Sequence, residues 1–396
     1  MKALLARLML PASMLAIVAH GSSPQAFHPD DDRRYRLVKL DSLGGPDSRG
    51  HSINNLGWVS GYADAPNGTH REAILWLWGI RIPLGALGGT NSAIVWPVKN
   101  NTGLLVGIAP TGNDDPEDEE WSCASFFVGK ERFGPICRGF AWDLGVKRAL
   151  PTLGGNHSYA AGANNVRQIV GWAENDVRDD SCTKTQKLQF HAVIWGPGHD
   201  QMQDLPPLGP HTSGAATAIN DRGQVVGISG RCDQAVGRFT ALSAVIWENG
   251  IPTDIGNLGG ETWNTPTAIN HRGEVVGFAS SPGDNPDSPR LKAFYWKKGQ
   301  GIQEIKPLEG HATSRAWGIN HHGYVVGTSC PASGLCHAYI WKDGEITDLN
   351  EATDRAPGDH LDSAQDVNDF GQITGRVTNT DTGARSAYAL TPIPRR

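Results

Sequence analysis

Short apolar runs recur along the chain, each broken by a polar turn, with no long stripe of helical period. Ala218-Ile219 is followed by the turn Asn220-Asp221-Arg222-Gly223 and then by Gln224-Val225-Val226-Gly227. The same block returns at Ile269-Asn270…Gly273…Gly277 and at Ile319-Asn320…Gly323…Gly327. Looser copies stand at Asn54, Asn100, Asn164 and Asn368, which makes seven, with Asn-to-Asn spacings of 46, 64, 56, 50, 50 and 48 residues. A fixed period of this size marks a repeat architecture. Asn-x-x-Gly between apolar pairs predicts a hairpin: Asn bonds its own backbone two residues on, and Gly supplies the left-handed position of a type I turn with a bulge. In the third copy Asn164-Asn165-Val166-Arg167 lacks the glycine, and Asn165 is expected to take the left-handed conformation.

A second block follows each first one, a small residue and two mostly apolar residues before Trp, at Ala73–Trp76, Gly139–Trp142, Ala192–Trp195, Ala244–Trp247, Ala293–Trp296 and Ala338–Trp341. Glycine three positions after each Trp predicts a second hairpin of the same kind. A third block, such as Leu150-Pro-Thr-Leu-Gly-Gly155, closes the unit. Each repeat therefore reads as four antiparallel strands, A to D, the size of a propeller blade. The positions two and four residues before the repeat Asn are mostly small, as in Ala216 and Ala218, whereas the bulky Trp lies farther out on strand C. Small inside and large outside is the taper that wedge-shaped blades need, and the six Trp are read as core. The seventh copy ends at Leu390 without a third block, and the missing piece stands at the other end as Tyr35–Leu40. The expected fold is an all-β, seven-bladed β-propeller over residues 35–393, its ring closed by the N-terminal strand.

Composition agrees, with 49 Gly, 25 Pro, 13 Trp and only 19% charged residues in a chain of 396. A net charge of −6 without a dense basic cluster argues against a nucleic-acid partner. Residues 1–21 read as a secretory signal peptide, with Lys2 and Arg7 ahead of a short apolar run from Leu8 to Ala19 and small residues around Gly21. Residues 22–34 read as a linker. No later run is long enough to span a membrane, and a secreted or periplasmic monomer is expected. Six cysteines, an even number, favour disulfides in that setting. All six fall in B–C segments. Cys123 and Cys137 share one insertion, Cys330 and Cys336 share one loop, and Cys182 and Cys232 lie in adjacent blades, so the ring selects those three pairs.

The blocks resemble the HAF-repeat family of probable extracellular bacterial proteins, named for a His-Ala-Phe tripeptide ahead of the Trp. His191-Ala192, His337-Ala338 and Ala293-Phe294 carry the tripeptide in pieces, and the resemblance covers residues 35–390. It implies a propeller-like repeat and brings no catalytic residues with it.

Function is expected on the face that carries the long, varied B–C segments and the D–A connections, since variable loops on a rigid scaffold are where binding concentrates. Trp96, Trp121, Tyr159, Trp263 and Trp317 lie there outside the Trp block, with Arg315 beside them, as candidate ligand contacts. The acidic run Asp114–Glu120 reads as a solvated charge cluster rather than a calcium loop, because the spaced ligands and turn glycine are missing. His51, His157, His211, His311 and His360 also fall in D–A connections, but at differing offsets, so no metal site is expected from them. Catalytic and cofactor motifs are absent, and no cofactor is expected. Two readings remain: a non-catalytic module binding carbohydrate or an extracellular protein, or an extracellular hydrolase or lyase acting on a polysaccharide. Two carboxylates in a deep pocket would favour the second.

Overall fold

The computed structural model describes residues 34–393, apart from 120–121, 130–133, 183–184, 199–200, 234–236 and 285–289. The expected signal peptide, all of the linker but Arg34, and Trp121 lie outside the described residues. Seven sheets ring an axis as a seven-bladed propeller, antiparallel apart from a short parallel pairing of Tyr35 and Arg36 with Thr353 and Asp354. The fourth blade is typical, with strands Ser213–Ile219, Val225–Gly230, Ser243–Glu248 and Ile251–Asp254 paired in chain order. The seventh is closed as expected: Tyr35–Lys39 pairs antiparallel with Arg385–Pro392, with Leu37 opposite Leu390 and Lys39 opposite Tyr388.

The second blade departs from four full strands. Its strands B to D form a three-stranded sheet, and strand A is reduced to one bridge, Ala93 to Ile108. The Ser92 hydroxyl accepts from the Ala73 amide, as Ser48, Ser158 and Ser314 accept from Ala387, Gly139 and Ala293. Those four serines are therefore equivalent, yet Ser92 precedes its repeat Asn by eight residues where the others precede theirs by six. Two extra residues and Pro97, which has no amide to give, break the ladder there.

Strand A carries a bulge in six blades, and the skipped residue stands three before the repeat Asn: His51, Ala161, Thr217, Thr267, Trp317 and Gln365. The bulge pushes a strand A carbonyl against strand B, where every copy has glycine. A Cβ on Gly61, Gly107, Gly171, Gly227, Gly277, Gly327 or Gly375 would come within 3.0 Å of the carbonyl of Arg49, Ala93, Tyr159, Ala215, Thr265, Arg315 or Ser363 respectively. This close approach, rather than any turn, explains the last glycine of each first block.

The Asn-x-x-Gly turns form as expected, with the amide of Gly223 donating to the Asn220 carbonyl at 3.1 Å and a glycine φ of 75°. In the third blade Arg167, not Asn165, takes the left-handed place, at φ 67°. The turn needs that conformation at its fourth residue, and Asn165 is held elsewhere by Asp221. Four of the second hairpins are of a different kind. At Trp78-Gly79, Leu144-Gly145, Asn249-Gly250 and Asp343-Gly344 both residues have positive φ, the two-residue type I′ turn whose twist matches the flanking strands. Four of the six block Trp are buried as expected, whereas Trp296 and Trp341 are half-buried. Trp76, Trp195 and Trp247 each donate Nε1–H to a carbonyl near the end of strand D in the preceding blade, those of Asp41, Pro151 and Pro206.

At the narrow end the turns form a belt. The side-chain amides of Asn164, Asn220, Asn270, Asn320 and Asn368 each donate to the main-chain carbonyl of the next blade's repeat Asn, the last to Asn54, at 2.9–3.1 Å. The next residue of each turn adds a second circle, Asn55, Asn101, Asn165, Asp221, His271, His321 and Asp369. His271 bonds Asp221 at 3.1 Å, stacks on His321 at 3.9 Å, and His321 bonds Asp369 at 2.6 Å. Burial raises the Asp369 pKa, but hydrogen bonds from His321 and Asn55 outweigh it and hold the carboxyl far below the ordinary range. Such a group adds stability above its unfolded value, near 4, and loses it as pH falls through the folded value. Burial and then the His321 charge keep the His271 imidazole below its usual 6.5, so its contribution also fades as the unfolded chain takes up the proton. Both act in one direction. The melting temperature should fall as pH drops from about 7, first through His271 and then, below about 4, through Asp369, and Asp369→Asn should lower it at neutral pH and flatten the limb below about pH 4. Asp369→Asn with the wild-type pH profile would contradict this account.

Candidate functional site

At the end away from the asparagine belt, strands A bring their fifth residue before the repeat Asn to the channel mouth. Arg49 holds that place in the first blade, Ser363 in the seventh and Arg315 in the sixth, so three neighbouring blades contribute in turn. Arg315 is exposed, with its guanidinium 5.5 Å from the Phe278 ring, and desolvation by the surrounding walls lowers its pKa. No carboxylate pairs with it among the described residues. Arg49 likewise has no ion pair there, its Nε is buried without an acceptor, and burial, helped by Arg376, draws its pKa down against the opposing pull of Tyr62, Asp47 and Asp362. The Ser363 hydroxyl is also buried without a partner.

The surrounding carboxylates are already engaged. Asp362 receives Arg376 at 3.0 Å, Asp47 lies 3.6 Å from Arg376 and receives the Tyr62 hydroxyl at 3.0 Å, and Asp64 receives Arg71 at 2.8 Å. The Arg71 guanidinium also lies 3.7 Å above the Tyr62 ring. His51 is buried beside these arginines, and burial, then their charges, hold its imidazole well below the usual value. Among these residues, Arg49, Arg71, Arg315 and Arg376 thus outnumber Asp47, Asp64 and Asp362 in a partly desolvated wall.

Aromatic residues continue the lining. Trp317 occupies the bulge position where the fourth and fifth blades place Thr217 and Thr267, whose hydroxyls bond the next blade. A bulge re-aims its side chain, and Trp317 is half-buried, edge-on to Trp96 at 6.4 Å and to Phe278 at 5.6 Å. Trp263 is half-buried and has φ 58°, a strained conformation for so large a residue. Two expected contacts are corrected. Tyr159 is wholly buried, stacked at 4.1 Å on Trp172, its cross-strand partner, and covered by Phe126 from the short helix Ser122–Phe126 of the blade-two insertion. Trp96 is also buried, 8% exposed, because the two-residue insertion turns it into the apolar cluster around Tyr159.

Two of the histidines meet, since His311 and His360 lie edge-on to His337 at 4.9 and 4.6 Å, whereas His51, His157 and His211 stand elsewhere. His211 and His311 each bond a serine of strand B at 3.0 Å, Ser229 and Ser329, and His360 bonds the Cys336 carbonyl at 2.8 Å. His157 is buried beside Asp115 and Glu119. That placement corrects the reading of the acidic run as solvated: Asp115 and Glu119 are buried, because Asp115 accepts the amides of Glu117 and Glu119 and the run folds against the third blade. The cysteines pair as Cys123–Cys137, Cys182–Cys232 and Cys330–Cys336, with Cα separations of 6.2, 4.4 and 4.1 Å. Arg49, Arg71, Arg376 and Phe278 were not foreseen. Aligning the copies on the repeat Asn would have shown Arg49 in the register of Arg315.

No protein-family model matches the chain, and no curated protein does. Among solved structures it is similar to a puromycin-hydrolyzing peptidase of Mycobacterium tuberculosis, at 10% identity and a TM-score of 0.46 over 92% of this chain and 56% of that one. It is also similar to a Trypanosoma rangeli sialidase in complex with sialic acid, at 11% identity and 0.39 over 86% and 59%. A polysaccharide lyase, ulvan lyase, matches at 9% and 0.37 over 88% and 92%. Nothing of those proteins' chemistry is carried over to this chain. Among the described residues no helix is long and apolar enough to cross a membrane, and the three disulfides fit a non-cytoplasmic setting.

Proposed function

We propose that the chain is a secreted, non-catalytic binding module, related to the HAF-repeat proteins, whose channel mouth takes an acidic carbohydrate. The observation that carries this reading is the pair Arg49 and Arg315, two cations at equivalent places with no carboxylate at ion-pair distance among the described residues and with half-buried indoles beside them. A guanidinium in a desolvated wall favours a carboxylate or sulfate, and an indole face favours a sugar ring. Binding is favoured over catalysis because Asp47, Asp64 and Asp362 are tied to arginines or Tyr62, which leaves them ill-suited to donate a proton.

Tryptophan fluorescence of the purified protein should respond to uronic-acid or sulfated oligosaccharides and not to neutral ones. Arg315→Ala should weaken that binding about 10-fold or more, the effect of losing a charge-assisted hydrogen bond, and Trp317→Ala should weaken it while reducing the signal. Equal response to neutral sugars would refute the acidic ligand, and release of shortened or unsaturated products would favour the enzyme.

A further inference from the structure

Away from the mouth, the joint between the second and third blades holds three carboxylates out of water. Asp115, Glu119 and Glu174 are 7%, 3% and 0% exposed. Among the described residues no lysine or arginine forms an ion pair with any of them, and Arg138 acts on Glu174 only at longer range. Main-chain amides supply most of the compensation. Asp115 accepts from Glu119 at 2.7 Å and from the Asn156 side chain at 2.9 Å, Glu174 accepts from the amides of Asn156 and His157 at 3.0 and 2.9 Å, and Glu119 accepts from Leu188 at 2.7 Å and from Lys187. Amide dipoles leave the net charge in place, and a buried concentration of like charge is costly unless a cation joins it.

A second feature points to a ligand. Gln186 comes from another element, ahead of strand C of the third blade, and is 3% exposed. Its side-chain nitrogen touches Glu119 and Glu174 at 3.4 and 3.2 Å, while its Oε1 is buried with no partner, as is Glu119 Oε2. Two buried oxygens at one acidic cluster thus lack a donor.

The chemistry of the donors narrows the ion. Ligand atoms of Asp115, Glu119 and His157 lie within 4.8 Å of one another. His157 Nδ1 accepts the Cys137 amide at 3.0 Å, which places the imidazole proton on Nε2, facing Asp115 at 3.4 Å. A protonated nitrogen has no lone pair to give, so His157 positions Asp115 and is not a ligand. What remains is an all-oxygen set of carboxylates and one amide, suited to a hard cation, and an all-protein set suits Ca²⁺ better than Mg²⁺, which keeps several of its waters. We propose that Asp115, Glu119, Glu174 and Gln186 form a Ca²⁺ site that fastens the blade-two insertion to the third blade. The insertion carries the helix that covers Tyr159, so the ion would brace the loops on the channel-mouth face.

The test is thermal melting of the full secreted protein after chelation, with CaCl₂, with MgCl₂ and with neither. In 5 mM CaCl₂ at pH 7.5 the wild type should melt on the order of 3 °C higher, given affinities near those of extracellular calcium modules, and MgCl₂ should do less. Glu119→Gln keeps the shape and removes one of three like charges. It should therefore melt at or above the chelated wild type and lose the calcium shift, a combination that mere loss of packing would not produce. Asp118→Asn, at an exposed neighbour, should keep the shift. Melting indifferent to Ca²⁺ together with no calcium bound by elemental analysis, or Glu119→Gln responding as the wild type does, would overturn the site.

Discussion

A chain lacking residues 34–45 should lose its cooperative unfolding transition and aggregate. Five residue pairs join Tyr35–Lys39 to the last strand, and the Leu40 amide adds a bond to the Ala387 carbonyl at 2.8 Å. Tyr35 is 2% exposed and packs with Leu349, Leu361, Tyr388 and Leu390 in one apolar cluster. The deletion strips that cluster, leaves the strand through Tyr388 as an open edge, and takes from Trp76 the Asp41 carbonyl that receives its Nε1–H. An uncovered edge pairs readily with other chains. Circular dichroism and light scattering during heating would report the outcome, and a deletion variant that melts as the wild type does would show that the ring closes in another way.

Gly227→Ala should be among the most destabilising single substitutions in the chain, costing about 4 kcal/mol or more. The added methyl meets the Ala215 carbonyl and the Ala216 Cα, both main-chain atoms fixed by the strand ladder, and no side chain can turn aside to make room. Gly223→Ala is the contrast. That glycine has φ 75° and open space around it, so the cost is only the left-handed conformation, about 1–2 kcal/mol. Denaturant unfolding of the two variants separates close approach from backbone freedom. Similar midpoints would remove the explanation for the glycine in strand B.

Much of this architecture is legible in the residues, because repetition multiplies weak signals. One Asn-x-x-Gly is an ordinary turn, but seven in register with a following Trp block define blade, strand order and closure, and the loop positions of the cysteines then give their pairing. What escaped is what depends on contact between copies. The strand B glycine reads as part of a turn signature until the bulge in strand A puts a carbonyl against it. The site was legible only in outline. Trp317, Trp263 and Arg315 lie where exposure was expected, whereas Tyr159, at the place equivalent to Arg315, is covered by an insertion whose path no local pattern reveals. Asp115 and Glu119 sit within a run of seven acidic or proline residues that looks solvated until the third blade supplies amides and Gln186.

The asparagine belt has a consequence for how such a ring can grow. At the joints out of the fourth, fifth and sixth blades, donor and acceptor are the same, an Asn side chain and the next Asn carbonyl. A duplicate of any of these blades, placed beside its original, would present matching chemistry on both sides. The belt therefore tolerates any number of members and does not count them. The count is left to the width of the inner strands, where Ala216, Ala218, Ala268, Ala316 and Gly318 set how sharply one blade leans on the next. Enlarging those few side chains would open the angle between neighbours, so the sevenfold number resides in a handful of methyl groups rather than in the bonds that hold the circle shut.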